Sequence, residues 1–486
     1  MFSVGSAGYP HNDVNTSTGG RDMTALNWRT TGRRLAMALI VVLGGASAAP
    51  AQTAEELARA AEDFRSNLED TTSPAYCGQC HTRIYEEWKG SRMGRDLFNP
   101  IVYQFYTSTN PAGKFDGLGF KGFNLAMGHG DVAGDCADCH VPRQVIDAHA
   151  RGEEVDLGEA MVDVADHGIA CSYCHAVSEI HLEKDENGRY PTRIFDKVTL
   201  EPNPDVWHGP FATDEAAHDV VQSDIYRQSE ICGTCHVNQE KFLSISTYDD
   251  WKQAYDAGLT DQTCQGCHMP LIEGPVEVAA GGPEREGMRH HTFLGARDAG
   301  MRAKALSLDL DAQVVDGKLV VSTVVENVGA GHTVPGSSPI RNVILKIDAT
   351  DETGQPLIYA GDKRGLLPPL AGFGNPETGQ RSPRDWAGMP GKMYARVFRS
   401  AVVPKTGRPM VGVGGFAADA MVFDTLLRPK APDRATWAFD LPADAGKVNV
   451  RARIVYRWAF LPIAERKGWD MEDLPMTEAR VSVNLN

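Results

Sequence analysis

The chain has 486 residues, 42% of them hydrophobic and 8% aromatic, and its 48 Lys+Arg against 64 Asp+Glu give a formal charge of −16. That length accommodates two or three domains and a sizeable core. The acidic balance, with no cationic run to interrupt it, excludes a nucleic-acid partner held by phosphate neutralisation and favours basic partners.

Residues 1–51 read as a secretory signal peptide: Arg29, Arg33 and Arg34 precede an apolar run over 35–43 and a small-residue close at Ala49-Pro50-Ala51. The run is shorter than the roughly 20 residues that span a bilayer. No stable membrane span is therefore expected after cleavage, and the mature chain would carry about −18 and work in the periplasm or outside the cell. Met23 is an alternative start, because the polar stretch before the arginines is long for a leader. Residues 52–75 then hold an entry helix, with Leu57, Ala61, Phe64 and Leu68 at helical spacing.

All ten cysteines fall in pairs with two residues between them and a histidine directly after: Cys77/Cys80/His81, Cys136/Cys139/His140, Cys171/Cys174/His175, Cys232/Cys235/His236 and Cys264/Cys267/His268. Two thiols at this spacing add to the two vinyl groups of one porphyrin edge while the next residue turns its imidazole onto the iron. Tetrahedral zinc would need four ligands from two half-sites and would not demand a histidine after every second cysteine. Five covalently attached c-type haems are expected, in a module spanning 76–295. From Cys77 to His268 there are 192 residues, too few to enclose five porphyrins in separate apolar cores. The haems must bury one another, which brings them close enough to exchange electrons.

Each iron needs a sixth ligand or an open site. His129, His167, His208 and His218 stand beside glycine or small residues that permit close porphyrin approach. Of the adjacent His290 and His291 only one can readily face a given iron, and His291 is preferred. His149 and His181 sit in charged stretches and read as surface residues.

The segment CGQCHTRIYEEWKGSRMGRDLFNP resembles the first haem unit of the tetrahaem cytochromes that accept electrons from hydroxylamine oxidoreductase, with Tyr85, Trp88 and Ser91 matching. The resemblance implies a distal ligand at position 93, which here is Met93 instead of histidine. HGIACSYCH, WHGPF, YRQSEICGTCH, TCQGCHMP and RHHTFLGA extend the similarity over roughly 75–295. It implies electron transfer.

Beyond residue 296 there are no cysteines and the pattern changes to alternating or β-branched runs: LSLDLDAQVV, KLVVSTVVENV, NVILKIDATD, YARVFRSAVVP, RATWAFDLP, KVNVRARIVYRWAF and EARVSVNLN. These predict an antiparallel β-sandwich-like domain over 296–486, so the fold class is α+β: a mainly helix-and-loop haem module followed by the sandwich. A Gly/Pro-rich stretch over 365–392 is expected to form an ordered loop. Similar Gly-His-x-x-Pro-Gly loops in multihaem cytochromes imply that His332, in the segment GAGHTVPG, reaches back to a haem.

Two functions fit. One is an electron carrier between redox protein partners, with every iron six-coordinate. The other is an oxidoreductase with one open haem acting on a small nitrogen or sulfur compound; the CxxCK motif common in pentahaem nitrite reductases is missing. An oligomer or filament with haems stacked between protomers is a third arrangement.

Overall fold

The computed structural model describes residues 68–129, 136–163, 168–239, 243–336, 338–372, 383–402 and 410–485. The signal peptide, Met23, most of the entry helix and His167 lie outside the described residues. The rest belongs to one unit, Ala58–Asn486.

From residue 68 to 305 the described chain is mainly short helices and loops, with short two-stranded ladders such as the parallel pair Val206–Gly209 and Asp219–Gln222. Pro74–Gly78 starts at Ser73, whose hydroxyl accepts from the Ala75 amide, with proline in the first turn. Pro100–Thr107 repeats the device with Asn99. Phe120–Met127 stops at Gly128, whose φ of 81° closes the helix in the left-handed region. Thr82–Gly90 and Thr247–Asp256 form where the TRIYEEWKG and YDDWKQAYDAG patterns place them, and each buries one tryptophan. The Trp88 indole N–H donates to Ile169 O at 2.9 Å and that of Trp251 to Gln262 O at 2.9 Å, so both are ring-packing residues with satisfied donors. The apolar cluster of this half is modest, built on Leu97, Tyr106, Phe120, Val141, Leu157, Tyr173 and Ile194.

From residue 306 the chain is antiparallel β-structure. Its strands are β1 Leu306–Val315, β2 Lys318–Asn327, β3 Asn342–Asp351, β4 Gly391–Tyr394, β5 Arg396–Ser400, β6 Met410–Val413, β7 Ala420–Asp424, β8 Asp433–Asp440, β9 Lys447–Arg457 and β10 Leu474–Asn484. They form sheets of order β8-β2-β1, β4-β3-β9-β10 and β6-β5-β7. In β2 the burial alternates strictly, sending Leu319, Val321 and Val325 inward. They meet Val343, Leu345 and Ile347 of β3 and Val448, Val450, Ala452 and Ile454 of β9 in one core. This is the packing of a sandwich.

The four-stranded sheet is covered on its other face as well. Ile344, Met393 and Val455 pack there on Phe460, Leu461, Ile463, Ala464 and Trp469. The described parts of the Gly/Pro-rich stretch join this layer through Leu367, Ala371 and Trp386. The region thus holds two apolar cores, with about 1.5–3 kcal/mol for each fully buried large aliphatic side chain.

Candidate cofactor-binding site

Every Cys-x-x-Cys-His motif lies on or directly after a short helical turn: Pro74–Gly78, Cys136–His140, Cys171–Cys174, Glu230–His236 and Cys264–His268. All ten thiols are free. The ten cysteines and five motif histidines line one continuous cavity of about 1750 Å³. Its wall also takes residues from the β-region, including Ala330, His332, Arg341, Phe416 and Trp458. Thiols of different motifs meet across it. Cys77 hydrogen-bonds with Cys171, Cys139 with Cys235, and Cys232 with Cys264. Burial, reinforced by Cys235, pushes the Cys174 thiol up to about 12. Cys235 is brought down to about 7 by its hydrogen bond with Cys139, and the Lys197 charge acts in the same direction.

Four of the five motif imidazoles are oriented by their Nδ1 atoms. Nδ1–H of His81 donates to Val278 O at 3.0 Å, that of His175 to His208 O at 2.8 Å, and that of His268 to Leu294 O. His140 pairs its Nδ1 with the Asp96 carboxylate. With Nδ1 engaged, Nε2 is the nitrogen left for a metal. Opposite three of these rings stands a second imidazole tied in the same way. Nδ1 of His218 faces Asp219 O at 3.2 Å, that of His291 faces Arg289 O at 3.1 Å, and that of His332 faces Thr333 O at 2.8 Å.

The separations are diagnostic. Ring centroids lie 6.3 Å apart for His81 and His218, 6.3 Å for His175 and His291, and 6.4 Å for His268 and His332. Two metal–nitrogen bonds of about 2 Å each plus two ring radii of about 1.2 Å place imidazoles on opposite sides of one ion about 6.4 Å apart. Such rings must be neutral to ligate. Burial lowers the pKa of His175 and His332, and takes His291 and His236 to about 4.

The other candidates are placed differently. Met93 lines the cavity. His208 also lines it and is buried, with Nε2 3.3 Å from Glu201 and Nδ1 without a partner. His129 is exposed and forms no part of the wall. His290 pairs with Glu87 at 2.8 Å, and the same carboxylate accepts the His291 amide at 2.8 Å, so one glutamate holds the two neighbours apart. His149 stacks on Phe195 and His181 contacts Thr199, both away from the cavity. Among the described residues no imidazole stands opposite His140 or His236. Arg341, whose guanidinium has no acceptor among the described residues, acts electrostatically on His236.

Asp96, Glu87, Lys197 and Arg341 are contributors that sequence reasoning missed. None carries a motif signal, because their partners are 37 to 204 residues away in the chain.

The donor set fits iron porphyrin. Paired free thiols, an imidazole beside each pair and a shared apolar-walled space supply what covalent haem attachment requires. No protein-family model and no curated protein matches the chain. Among solved structures it is similar to a penta-heme cytochrome c552 from Thermochromatium tepidum, with a TM-score of 0.56 at 18% identity, covering 85% of this chain and 98% of that one. The likeness is one of fold, and it runs through both the helical and the β-rich parts.

Proposed function

We propose that this chain is an exported multihaem cytochrome c that binds five haems and relays single electrons between redox protein partners. The observation that carries the reading is the set of three imidazole pairs at 6.3–6.4 Å, each built on a Cys-x-x-Cys-His histidine. Bound haems would supply reversible one-electron chemistry at iron. The protein's own residues do the rest.

The cysteine pairs Cys77/Cys80, Cys136/Cys139, Cys171/Cys174, Cys232/Cys235 and Cys264/Cys267 anchor the cofactors. His81, His140, His175, His236 and His268 serve as proximal ligands. His218, His291 and His332 serve as distal ligands opposite His81, His175 and His268. Backbone carbonyls on Nδ1 hold His81, His175, His268, His218, His291 and His332 in the required tautomer, and the Asp96 carboxylate engages His140. Met93 and His208, both on the cavity wall, are the remaining described candidates; His167 lies outside the described residues, and exposed His129 is the weakest of the set. In chain order, the thiol contacts place the first motif beside the third and the fourth beside the second and fifth, and Cys174 of the third feels Cys235 of the fourth electrostatically, which supports a connected relay.

A charge of −16 supports docking to basic partners. Among the described residues no helix is long and apolar enough to cross a membrane. The sequence similarity to the tetrahaem cytochromes that serve hydroxylamine oxidoreductase supports a respiratory donor. Intact mass together with a pyridine haemochrome assay tests the reading: five haems per chain are expected, and bare thiols would refute it.

A second reading is favoured by one observation: among the described residues His140 and His236 face no imidazole, and the Arg341 guanidinium stands near His236 without an acceptor. An iron there with an open site would turn the chain into an oxidoreductase for a small anion. Titration with CO and cyanide separates the two. A carrier shows no spectral change.

A further inference from the structure

Lys197 closes the helix Ile194–Lys197 and is 1% exposed. Its ammonium donates to Thr234 O and to Val237 O, both at 3.0 Å. Those carbonyls bracket Cys235 and His236, the second thiol and the histidine of motif 4. No carboxylate pairs with Lys197 among the described residues, in a chain that is acidic overall. A buried cation without a counter-charge is costly, and two neutral carbonyls offset only part of that cost.

The neighbouring charges do not cancel it. Asp138, inside motif 2 and 2% exposed, is neutralised by Arg193 at 3.0 and 3.3 Å and accepts the Ile194 amide at 2.7 Å. Tyr173 gives its hydroxyl to Thr234 Oγ1 at 3.0 Å and stays neutral. Cys139 Sγ lies 3.7 Å from Cys235 O, so motif 2 meets motif 4 at the same spot. Motif 2 carries the opposite sign, since the Asp96 carboxylate sits on His140.

We infer that Lys197 is a potential-setting residue whose buried positive charge raises the potential of the haem on Cys232 and Cys235. Reduction adds one negative charge to a haem. A fixed cation in a poorly screened interior stabilises the reduced form and raises its midpoint potential. Lys197 acts through the polypeptide around Cys235 and His236 and is a positioning residue rather than a ligand. The fourth motif touches both the second and the fifth through its thiols, so a raised potential there bears on electron exchange with more than one neighbour.

The inference rests on haems occupying these motifs, and intact mass, read first, separates failure of that reading from failure of this one. In fully loaded Lys197→Gln one wave of a spectroscopic redox titration is expected to move to lower potential, while Lys197→Arg leaves it in place. Unmoved waves in Lys197→Gln, or an equal shift in Lys197→Arg, would overturn the inference. If Lys197→Gln yields no loaded protein, Asp138→Asn supplies the test with the opposite sign. Removing that carboxylate charge is expected to raise the potential at the motif 2 and motif 4 junction, and waves that stay put would count against any charge control there.

Discussion

The two halves of this molecule are stabilised in different ways. The β-region closes two apolar cores: Leu319, Val343, Ile347 and Val448 in one and Phe460 in the other are all 1% exposed or less. The helical half instead lines a cavity of about 1750 Å³ with cysteines and histidines and holds a smaller apolar cluster. One half is complete as polypeptide. Under the proposed function the other would be shaped around bound cofactors, with its short helices as their brackets.

The largest break in that comparison should come from emptying the centre of the cavity. Replacing both Cys232 and Cys235 by serine is expected to remove one haem and abolish the cooperative thermal transition followed at haem absorption. The same double change at Cys77 and Cys80, where Cys80 is exposed, should cost one haem and leave the transition in place. Next comes the link between the halves. His332→Ala is expected to convert one low-spin haem signal to high spin in electron paramagnetic resonance and to lower the Tm. His129→Ala should leave both unchanged.

A third change acts on the protein side of the junction. Lys467, fully buried on the helix Leu461–Lys467, donates to Gln104 O, Thr109 O and Asp116 Oδ1, each at 3.0 Å. Burial lowers its pKa, although Asp116 works against the shift. Lys467→Met leaves three acceptors without their donor and should cost about 3–5 kcal/mol in urea unfolding.

The smallest effect is a pH dependence at Asp249. Burial opposes its ionisation, but hydrogen bonds from Lys184, Tyr190 and Gln253 outweigh that and hold it below the ordinary 3.8. A depressed carboxylate stabilises the fold above its unfolded value, and that contribution is lost as pH falls through the folded value. Asp249→Asn should therefore flatten the stability curve below about pH 4, measured by urea unfolding across pH.

The attachment motifs were legible because their chemistry is local: two thiols and an imidazole within five residues. The long strands were legible from alternation, as in KLVVSTVVEN. β4, β6 and β7 were not anticipated, because four- and five-residue strands such as GKMY, MVGV and AMVFD give too short a pattern. The imidazoles opposite His81, His175 and His268 were visible only as a surplus of histidine. Sequence could not pair His81 with His218 or His175 with His291, since those contacts are set by the folding of loops over more than a hundred residues. Lys197 was illegible for the same reason, and nothing in its neighbours IFDKVTL marks a buried ammonium.

The loop that carries His332 is pinned from two sides. Asn327 of β2 donates to His332 O at 2.7 Å, and the Thr333 hydroxyl donates to Asp250 on the helix Thr247–Asp256 at 2.7 Å. All five attachment motifs emerge during synthesis before this loop does. Under the proposed function His332 would complete the group held by His268 only once β2 has folded, so the C-terminal sheets would act as a proofreader of maturation, and a chain truncated before them would be left with one unfinished centre.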